Sequence, residues 1–422
     1  MKYQAIRGTK DILPAESALW QKVEAVSRGL FRLFNYREIR TPVIEDTGLF
    51  VKSVGEDTDI VKKEMFSFVD RGERNISLRP EGTAPVVRAY IENNLFKTEP
   101  FQKLYYIGPM FRAERPQAGR MRQFHQIGVE VIGSKDPVVD AEVITIASEL
   151  LKANGATGYE IRLNNLGCPE DKKKLSTHLK EALADSSTSK LLCDDCKRRS
   201  STNPLRVIDC KNESCRTSVR SILKKADFLC EACKSHFKEV VGYLDSTGIK
   251  YIIDPYIVRG LDYYTGTVFE ITQTGLGAQN AIGAGGRYDK LISDMGGPEF
   301  GACGFAIGAD RLMMALGSEA ANSAAGDVTA DIFIASMGKA ASGMAFLLAR
   351  ELRANGVSCD IDFENRSLKS QMRSADSMKA KYVLIIGDDE LAKGEVTLRN
   401  MVTKEQASVK FQEIVGRIKS LL

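Results

Sequence analysis

Residues 108–133 hold the densest chemistry in the chain: Arg112, Arg115, Arg120 and Arg122 fall within eleven residues, between two segments that read as strands. From Phe124 to Ile132 the side chains alternate, so His125, Ile127, Val129 and Val131 share one face of the pleat and Gln126, Gly128 and Glu130 share the other. The first face is mostly apolar and suits a core. The second lies beside four guanidinium groups, which grip carboxylates and phosphates with paired donors. An anionic ligand with a cationic end fits such a pocket. Taken alone, the segment also fits an exposed hairpin with a solvated charged loop.

Four further segments carry polar chemistry. Asn75 to Arg88 reads as a short strand, a Pro-Glu-Gly turn and a helix beginning near Thr83 or Ala84. Glu81 and Thr83 flank the helix entrance, where a carboxylate and backbone donors can hold an ammonium and its neighbouring carboxylate, or can simply cap the helix. In the stretch from Asp254 to Thr272, Arg259 precedes a glycine at a strand end, with Tyr263 and Tyr264 just beyond. Its planar fork offers five donors and stays charged, so it can reach a phosphate and a carboxylate together; a surface arginine beside two packing tyrosines is the plainer reading. Ala281-Ile-Gly-Ala-Gly-Gly-Arg-Tyr-Asp-Lys-Leu is no Walker loop, and Tyr288 stands where a Rossmann fingerprint needs its third glycine. Its glycines let backbone approach a ligand, or mark a bulge. Last, Gly304 and Gly308 are small enough for a helix to lie close against a sheet, and Arg311 projects from that helix near its start.

Taken together, Arg-Pro-Glu-Gly-Thr, Gly-Pro-Met-Phe-Arg-Ala-Glu-Arg-Pro and Arg-Gln-Phe-His-Gln-Ile-Gly-Val-Glu resemble the ATP and amino-acid site of class II aminoacyl-tRNA synthetases. Val-Arg-Gly-Leu-Asp-Tyr-Tyr and Ala-Gly-Gly-Arg-Tyr-Asp resemble signatures of the histidyl family within that class, and the Arg311 segment has the form of the third class II motif. The resemblance covers nearly the whole chain. It implies activation of L-histidine by ATP with Mg²⁺ and transfer to tRNA(His), by a cytoplasmic homodimer. It implies histidine contacts from Glu81, Thr83, Arg112, Gln126, Glu130, Arg259, Tyr263 and Tyr264, with Glu130 and Tyr264 reading the imidazole. ATP would meet Arg112, Arg120, Phe124 and Arg311, the last at the γ-phosphate and over one face of adenine, with Phe124 on the other. Arg112 and Arg259 would act at the α-phosphate, and Gln117 and Arg122 are candidates for the tRNA acceptor end.

The resemblance also implies an α+β chain to position these residues. It implies an antiparallel-sheet catalytic domain over 1–169 and 249–320, a helical insertion over 170–248, a linker over 321–330, and an α/β domain over 331–422 similar to the anticodon-binding domain of several class II synthetases. Pro14 to Tyr36 has helical periodicity, with Leu19, Val23, Val26, Leu30 and Leu33 on one stripe. The extended Arg37 to Glu45 follows, and Pro42 restricts it to an edge or an interface. This pair resembles the family's dimer contact and equally fits ordinary core. Past the linker, strands and helices alternate, implying a mixed, largely parallel sheet. Lys369, Arg373 and Lys379 could form one basic helix face.

Composition removes several classes. With 43 % apolar and 27 % charged residues among 422, the chain has material for two or three cores. No apolar run reaches the roughly 20 residues that span a bilayer, and the start lacks a signal-peptide core, so no membrane partner and a cytoplasmic setting are expected. A net charge of +4 makes any nucleic-acid surface a local one. Three histidines leave little for a Ser-His-Asp triad or a His-rich metal site.

The insertion carries Cys193-Asp-Asp-Cys196, Cys210, Cys215 and Cys230-Glu-Ala-Cys233. Two Cys-x-x-Cys pairs have zinc spacing, which makes Cys193, Cys196, Cys230 and Cys233 the candidate ligands of a structural Zn²⁺; packed thiols are the alternative, and the histidyl family does not require metal here. Two other functions stay open. One is a non-aminoacylating regulatory paralogue of histidine biosynthesis, which usually lacks the C-terminal domain and the Arg-Gly-Leu-Asp-Tyr-Tyr string. The other is a different acyl-adenylate ligase on the same fold.

Overall fold

The alternation in the arginine-rich hairpin is realised as antiparallel pairing of Gln102–Phe111 with Gln123–Ile132. In the computed structural model, which describes residues 3–117, 119–224, 227–276, 280–324 and 330–422 (backbone alone over 318–324), this hairpin sits within an eight-stranded sheet. The order is Arg37–Glu38, Gln102–Phe111, Gln123–Ile132, Ala302–Gly308, Ala281–Arg287, Thr265–Gln273, Tyr159–Asn165 and Ile252–Ile253. The six inner strands pair antiparallel, and the two short outer ones join in parallel.

The two faces of that sheet differ in bulk. Ile127, Val129, Val131, Cys303, Phe305 and Ile307 point into the main core, under the helices Pro14–Leu33 and Pro137–Ala153. Each large side chain so buried contributes about 1.5–3 kcal/mol. The residues between them on the central strands are Gly128, Gly304, Ala306 and Gly308, which leave a trough on the opposite face.

Two local expectations change. On Pro14–Leu33 the buried set is Leu19, Trp20, Val23, Ser27 and Phe31, whereas Leu33 is 78 % exposed. The aromatic rings of Trp20 and Phe31 bury more area than a leucine, so the helix turns them inward. The extended stretch around Pro42 is two strands: Arg37–Glu38 joins the large sheet, and Ile44–Asp46 joins Asn75–Leu78 and Phe66–Val69 in a separate three-stranded sheet. Pro42 lies in the break, where its missing N–H costs no ladder bond.

Helices Pro169–Ala184, Asp194–Thr202 and Glu213–Leu223 gather around Leu175, Leu179, Leu183 and Val219. The following helix, Glu231–Thr247, buries Val240 and Leu244 in the main core instead. A buried ion cluster fixes it there. Asp140, fully buried, accepts from Arg287 Nη2 at 2.7 Å and lies 2.9 Å from His236 Nε2. Burial alone would raise the Asp140 pKa, but the bonds to His236 and Arg287 hold it below the ordinary carboxylate value.

By contact the chain divides into two units, Met1–Ala324 and Ala325–Leu422. Of the expected 321–330 linker, residues 325–329 lie outside the described residues. The second unit has five strands in the order Cys359–Ile361, Ile332–Ser336, Tyr382–Ile386, Glu395–Asn400 and Gln406–Lys410. Its first two pairings are parallel and its last two antiparallel, so the sheet is less parallel than expected. The unexpected strand, Gln406–Lys410, is an exposed edge with no apolar alternation to announce it. Among the described residues, no helix is long and apolar enough to cross a membrane.

Replacing Asp140 by Asn should cost up to about 3–5 kcal/mol of unfolding free energy, because the buried guanidinium of Arg287 then keeps only Asp289, 2.9 Å from its Nη1, as counter-charge. Urea denaturation of Asp140→Asn beside the parent reads this directly, and a loss under about 1 kcal/mol would show that the cluster is not stabilising in the way described.

Candidate active site

Over the trough opens a cleft of about 930 Å³, its mouth included. The turn and helix entrance at 81–83 supply Glu81 and Thr83, and the hairpin supplies Arg112, Arg120, Phe124 and Gln126. Arg259, Tyr263 and Tyr264 enter from an irregular segment after Ile252–Ile253 rather than from a strand end, and Arg311 enters from the helix that follows Gly308. Ten residues singled out in the sequence thus line one cavity.

Three others do not line it. Glu130 lies directly beneath, buried. Gln117 is exposed on the hairpin loop, and Arg122 packs against Gly8 while its backbone N–H donates to the Gly8 carbonyl at 2.7 Å.

One end of the cleft is acidic and almost dry. Glu81 accepts from the backbone N–H groups of Thr83 and Ala84, both at 2.8 Å, so it caps the helix while facing the cavity. Thr83 Oγ1 donates to Glu130 Oε1 at 2.7 Å, and the Tyr288 hydroxyl donates to the other Glu130 oxygen. Burial raises the pKa of both acids, opposed at Glu81 by the two helix amides; at Glu130 it reaches about 8. Two desolvated carboxyls on either side of Thr83 make this end a receiver for a cation or for N–H donors. The Tyr106 hydroxyl and Gln126 Oε1 are buried there with no hydrogen-bond partner among the described residues, so each can pair with a polar group that enters the cleft.

The other end is cationic. Glu114 lies 2.9 Å from Arg120 Nη1 and 4.0 Å from Arg112 Nη1, while Arg112 Nε donates to the Pro80 carbonyl at 2.9 Å. The Arg112 guanidinium stands 5.3 Å from the Phe124 ring centre. Arg311 donates to the carbonyls of Gly119 and Ala281. Burial, then the nearby charge of Arg120, lowers the Arg311 pKa, a sign of crowded cations that an anion would relieve. Between the two ends, Arg259 Nη1 pairs with Glu270 at 3.0 Å, leaving its Nε buried and without a hydrogen bond among the described residues.

Several contributors escaped the sequence reading. Tyr106 lines the cleft, its ring wedged between Gly82 and Gly128, where an added Cβ would meet it at 2.4 Å in each case. Gly304 lies opposite Glu130 across the strand pair, and a Cβ there would fall 2.0 Å from the Glu130 Oε2 atom. Gly304 therefore makes room for a carboxylate rather than for a helix. The signal was the alternation of small and large residues in Ala302-Cys-Gly-Phe-Ala-Ile-Gly308. Lys172 and Arg206 were also missed: Lys172 Nζ donates to the carbonyls of Asp262 and Tyr264, and Arg206 to that of Gly260, so the insertion grips the segment bearing Arg259.

The zinc ligand set expected from the sequence is corrected. Cys193 and Cys196 gather with Cys210 and Cys215, whereas Cys230 and Cys233 gather with Cys168 and Asp171. The two Cys-x-x-Cys pairs head different helices, which carry them into separate clusters.

Comparison with known proteins agrees with this geometry. Residues 8–312 match the family model described as histidyl-tRNA synthetase, and residues 331–421 match that of the anticodon binding domain. The histidine–tRNA ligase of Halothermothrix orenii is 47 % identical over 422 residues, covering 100 % of both chains. That of Geobacter sulfurreducens is 48 % identical over 415 residues, covering 98 % of this chain and 99 % of its own. Among solved structures, apo histidyl-tRNA synthetase of S. aureus superposes with a TM-score of 0.81 at 36 % identity, over 99 % of this chain and 100 % of that one.

Two outcomes follow from the acidic end. Gly304→Ala should lower stability by several kcal/mol or prevent folding, since the backbone Val129 O lies only 2.4 Å from the new Cβ and cannot yield; near-parental melting would contradict the packing. For Glu130 the sign is fixed by its raised pKa, about 8 against 4.5 for the free group. In that window the folded chain keeps a proton that the unfolded chain releases, so its stabilising contribution is present at acid pH and fades as pH rises towards 8. Relative to the parent, Glu130→Gln should therefore gain stability with rising pH, by at most about 1.4 kcal/mol per unit. Urea midpoints at several pH values test it; a pH-independent difference would sink it.

Proposed function

The chain belongs to the histidyl-tRNA synthetase family, and on that premise we propose how its cleft performs the reaction. The reaction is ATP-dependent activation of L-histidine to histidyl-adenylate, then transfer of the histidyl group to tRNA(His). In the first step the histidine carboxylate attacks the α-phosphorus and pyrophosphate leaves. Two anions must be brought together and aligned in line, so fixed cations contribute most.

Arg259 and Arg112 take the α-phosphate and the incoming carboxylate, Arg259 being held in place by Glu270. Arg311 takes the γ-phosphate and one face of adenine, with Phe124 on the other face and Arg120 alongside. Glu81, Thr83 and Gln126 bind the α-amino group, and Tyr263 closes that subsite through its hydroxyl, 3.4 Å from Glu81 Oε2. Glu130 and Tyr264 read the imidazole, whose two nitrogens need one partner each. At a carboxyl whose pKa is raised to about 8, arrival of an imidazole N–H or an ammonium favours the ionised form, the proton leaving to solvent and the carboxylate then pairing with the ligand. Gln117 and Arg122, outside the cleft on the hairpin loop, meet the tRNA acceptor end.

Mg²⁺ fits the donor set: Glu114, now paired with Arg120, would offer it a carboxylate oxygen at the phosphate end, and this ion is commonly held by one or two carboxylates with substrate phosphates. When bound, it offsets negative charge on phosphate oxygens. A structural zinc in the 170–248 insertion belongs to the same reading, as do the catalytic parts 1–169 and 249–320 and an anticodon-binding domain over 331–422. A homodimer accounts for the exposed Leu33, Ile44, Phe68 and Val69 on the first helix and the three-stranded sheet. Nine cysteines, all free, suit a reducing cytoplasm.

The observation that carries this reading is the convergence of Arg112, Arg259 and Arg311 on one cleft with buried acids at its far end. The regulatory paralogue fits less well, because the C-terminal unit and Val-Arg-Gly-Leu-Asp-Tyr-Tyr are both present.

Pyrophosphate exchange into ATP should depend on histidine and on no other amino acid; exchange with none would select the regulatory protein. Arg259→Ala should lower that exchange at least about 10²-fold, the scale of one lost transition-state donor. Its thermal midpoint should stay near the parent's, and near-normal exchange would refute the role.

A further inference from the structure

Three helices of the insertion region begin with one pattern. Cys193-Asp-Asp-Cys196 opens Asp194–Thr202, Cys230-Glu-Ala-Cys233 opens Glu231–Thr247, and Cys168-Pro-Glu-Asp171 opens Pro169–Ala184, with the first cysteine of each as N-cap. The third is a Cys-x-x-Asp variant of the other two, concealed in the sequence by its carboxylate. Cys215 lies in the first turn of a fourth helix, Glu213–Leu223, whose N-cap is Asn212. Helix N-termini favour thiolate and carboxylate charge, and here four of them converge in pairs.

In the first cluster Cys193, Cys196, Cys210 and Cys215 have their sulfurs within 4.8 Å of one another. Sγ of Cys193 is 3.9 Å from Sγ of Cys210. Four sulfurs each about 2.3 Å from one zinc ion stand about 3.8 Å apart, whereas a disulfide requires about 2.05 Å. Backbone N–H groups also point at this sulfur set: Cys193 N donates to Cys215 Sγ at 3.2 Å and Asn212 N to Cys210 Sγ at 3.4 Å. Such bonds orient and partly neutralise metal thiolates.

The second cluster holds Cys168, Asp171, Cys230 and Cys233, again with donor atoms within 4.8 Å. Asp171 is fully buried, and its Oδ2 accepts from Cys230 N at 3.1 Å. Its Oδ1 has no hydrogen-bond partner among the described residues and lies 3.8 Å from the Lys174 Nζ, a loose ion pair. A buried carboxylate oxygen that meets only one distant ammonium among three thiols is positioned to join them around a closer cation.

We propose that this chain holds two structural metal ions of zinc type, one on Cys193, Cys196, Cys210 and Cys215, the other on Cys168, Asp171, Cys230 and Cys233. This rests on the reading that the insertion takes zinc and goes beyond it in number and ligands. The first ion cross-links the outer helices, which surround a modest apolar cluster. The second clamps the start of Pro169–Ala184 to the start of Glu231–Thr247, and so supports Lys172, which holds the Asp262 and Tyr264 carbonyls. Its effect on the histidine pocket is one of positioning.

The test is metal analysis of the full chain, purified under reducing conditions without chelator and dialysed. We expect about two zinc ions per chain, falling to about one in Cys193→Ser/Cys210→Ser and to about one in Cys168→Ser/Asp171→Ala. Cadmium-113 NMR of the cadmium-exchanged parent needs no variant that might misfold, and should give two resonances, one typical of four sulfurs and one shifted upfield by an oxygen ligand. About one zinc per chain would overturn the two-site proposal while leaving a zinc insertion standing. No zinc would overturn both, and loss of the same ion in both variants would overturn the separate ligand sets.

Discussion

Everything in the cleft depends on one register: Gln123–Ile132 lies between Gln102–Phe111 and Ala302–Gly308 so that Glu130 faces Gly304 and Tyr106 faces Gly128. A side chain larger than hydrogen at position 304 would displace the carboxyl group, and one at 128 would displace the tyrosine ring. A slip of one residue would send Glu130 into the apolar core and Val129 or Val131 into the cleft. The heavy packing of Ile127, Val129, Phe305 and Ile307 on the far face makes such a slip prohibitively costly, so hydrophobic burial on one side of the sheet fixes the polar geometry on the other.

The cleft is organised by opposed electrostatics. At one end, burial raises the Glu130 pKa to about 8 and leaves the Tyr106 hydroxyl without a hydrogen-bond partner among the described residues; at the other, Arg112, Arg120 and Arg311 crowd together with Glu114 in partial compensation. An amino acid with its α-amino group and imidazole at the acidic end, and a triphosphate at the cationic end, would satisfy both in one binding event. Preorganisation of this kind contributes to catalysis because the charges need not be reoriented as the reaction proceeds. The insertion shares in it, since Lys172 and Arg206 fix three carbonyls of the segment that carries Arg259, Tyr263 and Tyr264.

The sequence by itself determined the family, the α+β class, the alternating hairpin and the charged and aromatic residues that carry the cleft's chemistry, because each was written in local signals: period-two alternation, turn glycines, and arginines in recognisable strings. It also announced cysteines at metal spacing. Only the tertiary structure decided which of these meet. It lowered Glu130 beneath the cavity, left Gln117 and Arg122 outside it, turned Gly304 from a helix contact into space for a carboxylate, and split the cysteines into two groups by recruiting Cys168 and Asp171. Those outcomes depend on strand register and on where distant helices begin, quantities set by the packing of whole elements and absent from any short run of residues.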